Sequence, residues 1–197
     1  MARTQLNKLL EKEIENYIGI PYLYGGKSTW QEIKKESSDY KLLKKNGLGI
    51  DCSGLVYHLL DFYAQLQGLD SVYNHLIGTE NKKGVRRVSA NLLTSYPNSF
   101  PIKTIADIQT GDLIRLDSGK HVLFVMENTN KVIRYVHSGN KTKTRGVHWG
   151  EIKIINPSKT LDSQQWNEID LNEHPYSSYF DPANGDGVFR LFLFKQL

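Results

Sequence analysis

The sequence predicts an α+β domain in which N-terminal helices pack on a central antiparallel β-sheet. Three observations lead there. Two amphipathic stripes occupy the first third of the chain, at Leu6–Ile18 and at about Cys52–Gln67. The second half changes to short runs rich in Val, Ile, Leu and aromatic residues, separated by tight-turn signals. A length of 197 residues, 39% of them hydrophobic, suits one buried core rather than two, so a single domain over 1–197 is expected.

Each element has a local reason. Leu6, Leu9, Leu10, Ile14, Tyr17 and Ile18 recur at helical spacing with charged residues between them. That helix stops near Gly19, because Pro21 disfavours helical geometry at Ile20. Pro21 to Gly26 reads as an extended segment ending in a Gly25-Gly26 pair. Lys27 to Asn46 mixes lysines with Trp30, Ile33, Tyr40, Leu42 and Leu43, which suits one or two short helices. The second strong helix buries Leu55, Val56, Leu59, Leu60, Tyr63 and Leu66 and ends at Gly68. A polar turn is expected at Asn81–Gly84 and a loop at Pro97–Pro101. Strands are expected at Asp112–Leu116, His121–Glu127, Lys131–His137, Val147–Ile155 and Val188–Phe194, with turns at Asp117-Ser118-Gly119 and Asn128-Thr129-Asn130.

Charge and composition narrow the function less. A net charge of +4 suits an anionic partner such as cell-wall polymer, nucleic acid or membrane surface without choosing among them. No run approaches the roughly 20 apolar residues of a membrane span. The charged N-terminus has no apolar stretch of signal-peptide length, so a cytoplasmic location or a non-standard export route is expected. A single cysteine excludes an intrachain disulfide and multi-cysteine zinc sites.

That cysteine carries the chemistry. Cys52 opens a helix, where unpaired backbone N–H groups and the positive dipole end favour a thiolate and can hold the oxygen of a tetrahedral intermediate. Its neighbours Asp51, Ser53 and Gly54 are polar or small, unlike a core setting, and the glycine admits close approach of another backbone. A cysteine nucleophile needs a base and a group that orients the base. Among six histidines, His121 opens an apolar strand after a tight turn, and His137 ends the next strand. Hairpin pairing would bring both to one end of the sheet. His58 falls on the helix face away from the Leu55–Leu59 stripe and is expected to be solvent-exposed. His75 and His174 lie in polar loops, and His148 is the reserve third residue. Cys52, His121 and His137 are also three donors that zinc accepts, though the reading taken is a metal-free site. "DPANGDG" resembles a calcium loop but has Pro182 at an acidic position and Leu193 where a glutamate should close it, so it reads as a turn.

The blocks "GIPYLYGG", "DCSGLV", "GDLIRL", "HVLFV" and "VIRYVHSG", in that order, resemble the bacterial cell-wall peptidases of the NlpC/p-sixty family. "DCSGLV" after "PYLYGG" is the specific part of the match. The resemblance implies a papain-like fold, with Cys52 as nucleophile, His121 as proton carrier and His137 orienting it. It also implies that the Tyr22 hydroxyl assists the oxyanion and that Asp51 and Ser53 contact the free amino end of a short peptide. The implied substrates are peptidoglycan fragments or short stem peptides, cut between D-glutamate and a diamino acid, with no nucleic acid and no metal or organic cofactor. Other thiol amidases, acyltransferases or lipid-directed hydrolases on the same scaffold are the alternative. Residues 27–49 form a longer connection than the family usually has there. Because Tyr22 and Cys52 flank it, it is expected beside the cleft, with Lys34, Lys35, Lys41, Lys44 and Lys45 at the rim.

Overall fold

A computed structural model describes residues 3–79 and 85–195. The turn expected at Asn81–Gly84 lies outside the described residues.

The chain is α+β, with its helices first. Helix α1 (Arg3–Tyr17) buries Leu6, Leu10, Ile14 and Tyr17. The connection that follows forms two short helices, α2 (Trp30–Glu36) and α3 (Tyr40–Lys45). Thr29 and Glu32 close α2 with a capping box, and Asp39 caps α3. Helix α4 (Cys52–Leu66) is capped by Asp51 and packs on α1 through its apolar stripe. A short helix, α5 (Ala90–Leu93), precedes the sheet.

Seven antiparallel strands follow among the described residues: β1 (Ser99–Ile102), β2 (Leu113–Leu116), β3 (His121–Asn128), β4 (Val132–Gly139), β5 (Gly146–Lys153), β6 (Gln165–Trp166) and β7 (Gly187–Leu191). Their spatial order is β1-β7-β2-β3-β4-β5-β6. Alternation along β3 explains how both faces are covered. Val122, Phe124 and Met126 join the helices in one core, while Leu123 and Val125 join Tyr135, Trp166, Tyr176 and Phe180 in a second. This second core lies under the irregular C-terminal segment.

Three expectations need correction. Pro97–Pro101 is not all loop, because β1 begins at Ser99. Pro101 is tolerated since β1 is an edge strand that pairs only with β7. The last predicted strand stops at Leu191, and Phe192–Phe194 turn as a 3₁₀ helix. His58 is half-buried rather than exposed, its Nε2 lying 2.8 Å from the Lys27 carbonyl and its ring beside Tyr17. The chain returning at Lys27 covers that side of α4.

Candidate active site

Cys52 is the first residue of α4, and the site is built around how that helix starts. The Asp51 carboxylate accepts from the Gly54 amide at 2.6 Å and from the Gly25 amide at 3.1 Å, tying the Gly25-Gly26 turn to the helix. A Cβ on Gly54 would lie 2.6 Å from the Gly26 carbonyl oxygen, so glycine is required for this approach. Lys27 closes the cluster. Its buried ammonium lies 2.6 and 2.8 Å from the two Asp51 oxygens and donates to Ser53 Oγ.

The thiol of Cys52 is buried at the start of β3. Its Sγ is 4.0 Å from the Lys120 carbonyl, and the Val122 and Ser53 amides donate toward it, so it sits against the backbone on both sides of His121. Burial pushes the thiol up to about 11, helped by the negative charge of Asp51 and opposed by the Val122 amide, Lys27 and the Ser53 amide. The low-pKa thiolate expected at a helix N-terminus is therefore not what the resting site holds. Desolvation of the sulfur, with the charge of Asp51, outweighs the two amide donors and the Lys27 ammonium.

His121 and His137 project from β3 and β4 to the same sheet face. His121 Nε2 lies 2.8 Å from His137 Nδ1, with the rings edge to face. The hairpin thus brings the two imidazoles together as its pairing predicts. Burial, and next the nearby His137, hold His121 well below the ordinary imidazole range. His137 is fully buried and is also lowered by desolvation, partly offset by Glu168.

Beyond His137 the structure supplies groups that spacing alone does not reveal. In the β4–β5 ladder His137 pairs directly with His148. Glu168 arrives from the irregular segment after β6, its Oε1 lying 3.2 Å from His137 Nε2 and 2.6 Å from His148 Nε2. Tyr135 donates its hydroxyl to Glu168 Oε2 in a short hydrogen bond. Burial alone would raise the Glu168 carboxyl, but the charges and hydrogen bonds of His137 and His148 hold it well below the ordinary carboxylate range. Gly150 leaves room for this meeting, since a Cβ there would strike the Tyr135 ring and the Glu168 carboxylate.

A cleft of about 290 Å³ opens beside this chain of groups, lined by Tyr22, Tyr24, Lys120, His121, Lys141, Tyr176 and Tyr179 among others. Tyr22 stays a hydrogen-bond donor to high pH, because burial and the neighbouring Cys52 push its phenol up to about 12. Of the expected substrate-binding residues, Tyr22 lines this cleft. Asp51 and Ser53 are buried and turned to Lys27 instead. None of residues 27–49 lines it. Trp30 donates to Glu13 on α1 at 2.7 Å, and Ile33 and Leu43 are buried in the helical core, so the insertion packs on α1 and not at the rim. The cations at the cleft are Lys120 and Lys141, the latter paired with Asp117 at 2.7 Å.

His137, His148 and Glu168 are the one group among the described residues that could hold a metal ion. The fit is poor. Two ligands about 2.0–2.1 Å from tetrahedral zinc stand roughly 3.3 Å apart, whereas the His148 and Glu168 atoms are 2.6 Å apart. A zinc shared by Cys52, His121 and His137 fits no better, because His121 Nε2 and His137 Nδ1 already face each other at hydrogen-bond distance. In the "DPANGDG" segment Asp181 caps Pro182–Asn184, and Asp186 Oδ2 accepts from the Asp181 and Ser118 amides, as a turn requires.

Comparison of the chain with protein-family models, curated proteins and solved structures finds no match. No helix among the described residues is long and apolar enough to cross a membrane.

Proposed function

We propose that this protein is a cysteine hydrolase of amide bonds with a papain-like arrangement, similar to the NlpC/p-sixty cell-wall peptidases, and that it cuts peptidoglycan stem peptides. The observation that carries the reading is the approach of a lone helix-opening cysteine to the backbone around His121, with His121 held by His137 at 2.8 Å. A purely structural cysteine has no need of an imidazole pair at the start of the strand it touches.

The chemistry follows from neutral groups. As Cys52 Sγ attacks the amide carbonyl carbon, its proton passes to His121, which leaves the sulfur nucleophilic only at the moment of attack. The carbonyl oxygen gains the negative charge, and we assign the Tyr22 hydroxyl and the Cys52 amide to receive it, since the Ser53 and Gly54 amides already point to the sulfur and to Asp51. Collapse breaks the C–N bond, and the amine leaves with the proton from His121. Water then attacks the thioester carbon while giving a proton to His121. That proton returns to the departing sulfur, releasing a carboxylic acid and regenerating the thiol.

The buried Lys27–Asp51–Ser53 cluster refines the substrate. An internal ammonium already fills the acceptors that the family resemblance assigns to a free amino end, so selection of free amino termini is not part of the proposal. Lys120 at the cleft wall favours a substrate with a carboxylate near the scissile bond, and stem peptides carry such groups. Mass spectrometry of purified muropeptides after incubation tests the proposal. Cleavage at a glutamyl–diamino acid bond by the wild type, lost in Cys52→Ala, is expected; intact muropeptides with active enzyme on another amide or ester would move the assignment to a different thiol hydrolase.

A further inference from the structure

Glu168 and His148 are buried polar groups that the three-residue mechanism does not use, and their hydrogen bonds determine where protons reside. His148 Nδ1 lies 2.9 Å from the Gly146 carbonyl, which only accepts, so Nδ1 carries a proton. Thr142 gives its own hydroxyl proton to the Thr144 carbonyl at 2.6 Å, leaving its oxygen as an acceptor 3.4 Å from His148 Nε2. Glu168 Oε1 lies 2.6 Å from the same nitrogen. Both His148 nitrogens therefore face acceptors, the arrangement of an imidazolium paired with a carboxylate. Tyr135 donates to the other Glu168 oxygen, which also favours the ionised form.

The consequence runs outward toward the thiol. An ionised Glu168 requires a donor at His137 Nε2, 3.2 Å away. A neutral His137 protonated there has its lone pair on Nδ1. That lone pair accepts from His121 Nε2 at 2.8 Å, so neutral His121 keeps its own lone pair on Nδ1. The opposite tautomer would aim the His137 lone pair at a carboxylate and leave His121 with a hydrogen on the nitrogen that must take the thiol proton.

We propose that Glu168, kept ionised by His148, is the positioning residue that sets the tautomers of His137 and His121 and supports the positive charge His121 acquires from Cys52. This rests on the thiol–imidazole reading above and adds a fourth and fifth residue to it. Other titratable groups face the same chain: Tyr176, Tyr179 and Asp117 at the cleft, Tyr135 on β4 with Glu151 near it, Lys141 after β4, and Tyr22, Lys27 and Asp51 beside Cys52.

Two readouts test it, neither of which uses a substrate. In wild-type protein labelled with ¹⁵N-histidine, NMR should show His137 and His121 protonated on Nε2 and bare on Nδ1, with His148 protonated on both nitrogens. The rate of Cys52 alkylation by iodoacetamide, followed against pH, should fall about ten-fold near neutrality in Glu168→Gln. Its acid limb should move to lower pH, because glutamine keeps the shape but not the charge that supports protonated His121. A wild-type His137 bearing its proton on Nδ1 overturns the proposal, and so does a folded Glu168→Gln with an unchanged alkylation profile. Should Glu168→Gln fail to fold, the wild-type tautomers decide alone. Absence of muropeptide cleavage would count against the proposed substrate and leave this result readable.

Discussion

His121 and His137 meet across the β3–β4 hairpin, the Nε2 of the first 2.8 Å from the Nδ1 of the second, and the far side of His137 is closed by Glu168. One imidazole borders the cleft while the other has no exposed surface. In the proposed mechanism the division of labour follows from that difference in position, since His121 is the ring of the two that reaches the cleft.

Substitutions at His137 should therefore damage activity less than those at His121. His137→Ala is expected to lower kcat on the order of 10–100-fold with KM little changed, and His137→Asn or His137→Gln to be milder, because an amide still offers one hydrogen bond to His121. Steady-state kinetics of the three variants beside His121→Ala provide the check. A His137→Ala enzyme as slow as His121→Ala would assign the two rings equal roles.

The positive charge that meets substrate should come from β3's approach and not from the insertion. Lys120→Gln is expected to raise KM several-fold with kcat nearly constant, and to flatten the dependence of kcat/KM on salt. Replacing Lys34, Lys35, Lys41, Lys44 and Lys45 with glutamine should leave both constants near wild type. A KM effect confined to the five-lysine variant would return the insertion to the cleft.

Much of this arrangement is legible in the sequence, and the limits have physical causes. Strong periodicity places α1 and α4, and the turn residues 117–119, with positive φ at all three, place His121 at the start of its strand. Gly54 signals the close approach to Gly26 because only a missing Cβ permits it. Glu168 gives no such signal: it lies in an irregular stretch whose path depends on tertiary packing against Tyr135 and Tyr176, and no local pattern encodes that. The facing of His137 and His148 depends on the register of β4 with β5, which their separate strand patterns leave open. The thiol's upward shift escapes a helix-dipole argument because burial of Cys52 under Lys120 and Val122 is a long-range event.

Acid should destabilise the fold in a definable window. Burial lowers His58, His121 and His137 below the ordinary imidazole value, so the unfolded chain binds their protons first. Their contribution to stability is complete above about pH 6.5 and is lost as pH falls through the lowered folded-state values. Urea unfolding should show a midpoint that drops as pH falls below about 6.5, with a shallower drop in His137→Gln. A midpoint that rises on acidification through this range would contradict the assigned directions.

Gly54→Ala should destabilise the start of α4, since the added methyl meets the Gly26 carbonyl and the Asp51 carboxylate that caps the helix. A loss of about 1–3 kcal/mol is expected from overpacking, with slower Cys52 alkylation because the thiol moves with the helix end. Thermal unfolding and alkylation rates measured on one preparation check both effects. A variant as stable as wild type would mean that the Gly25-Gly26 turn yields easily.

The most direct test compares kcat/KM for amide hydrolysis in the wild type, Cys52→Ala, His121→Ala and the double variant. In the proposed mechanism nucleophile and base act as one unit, so each single change is expected to cost about 10⁴-fold or more and the double variant to be no slower than the worse single one. Hydrolysis by Cys52→Ala at the wild-type rate would contradict the account.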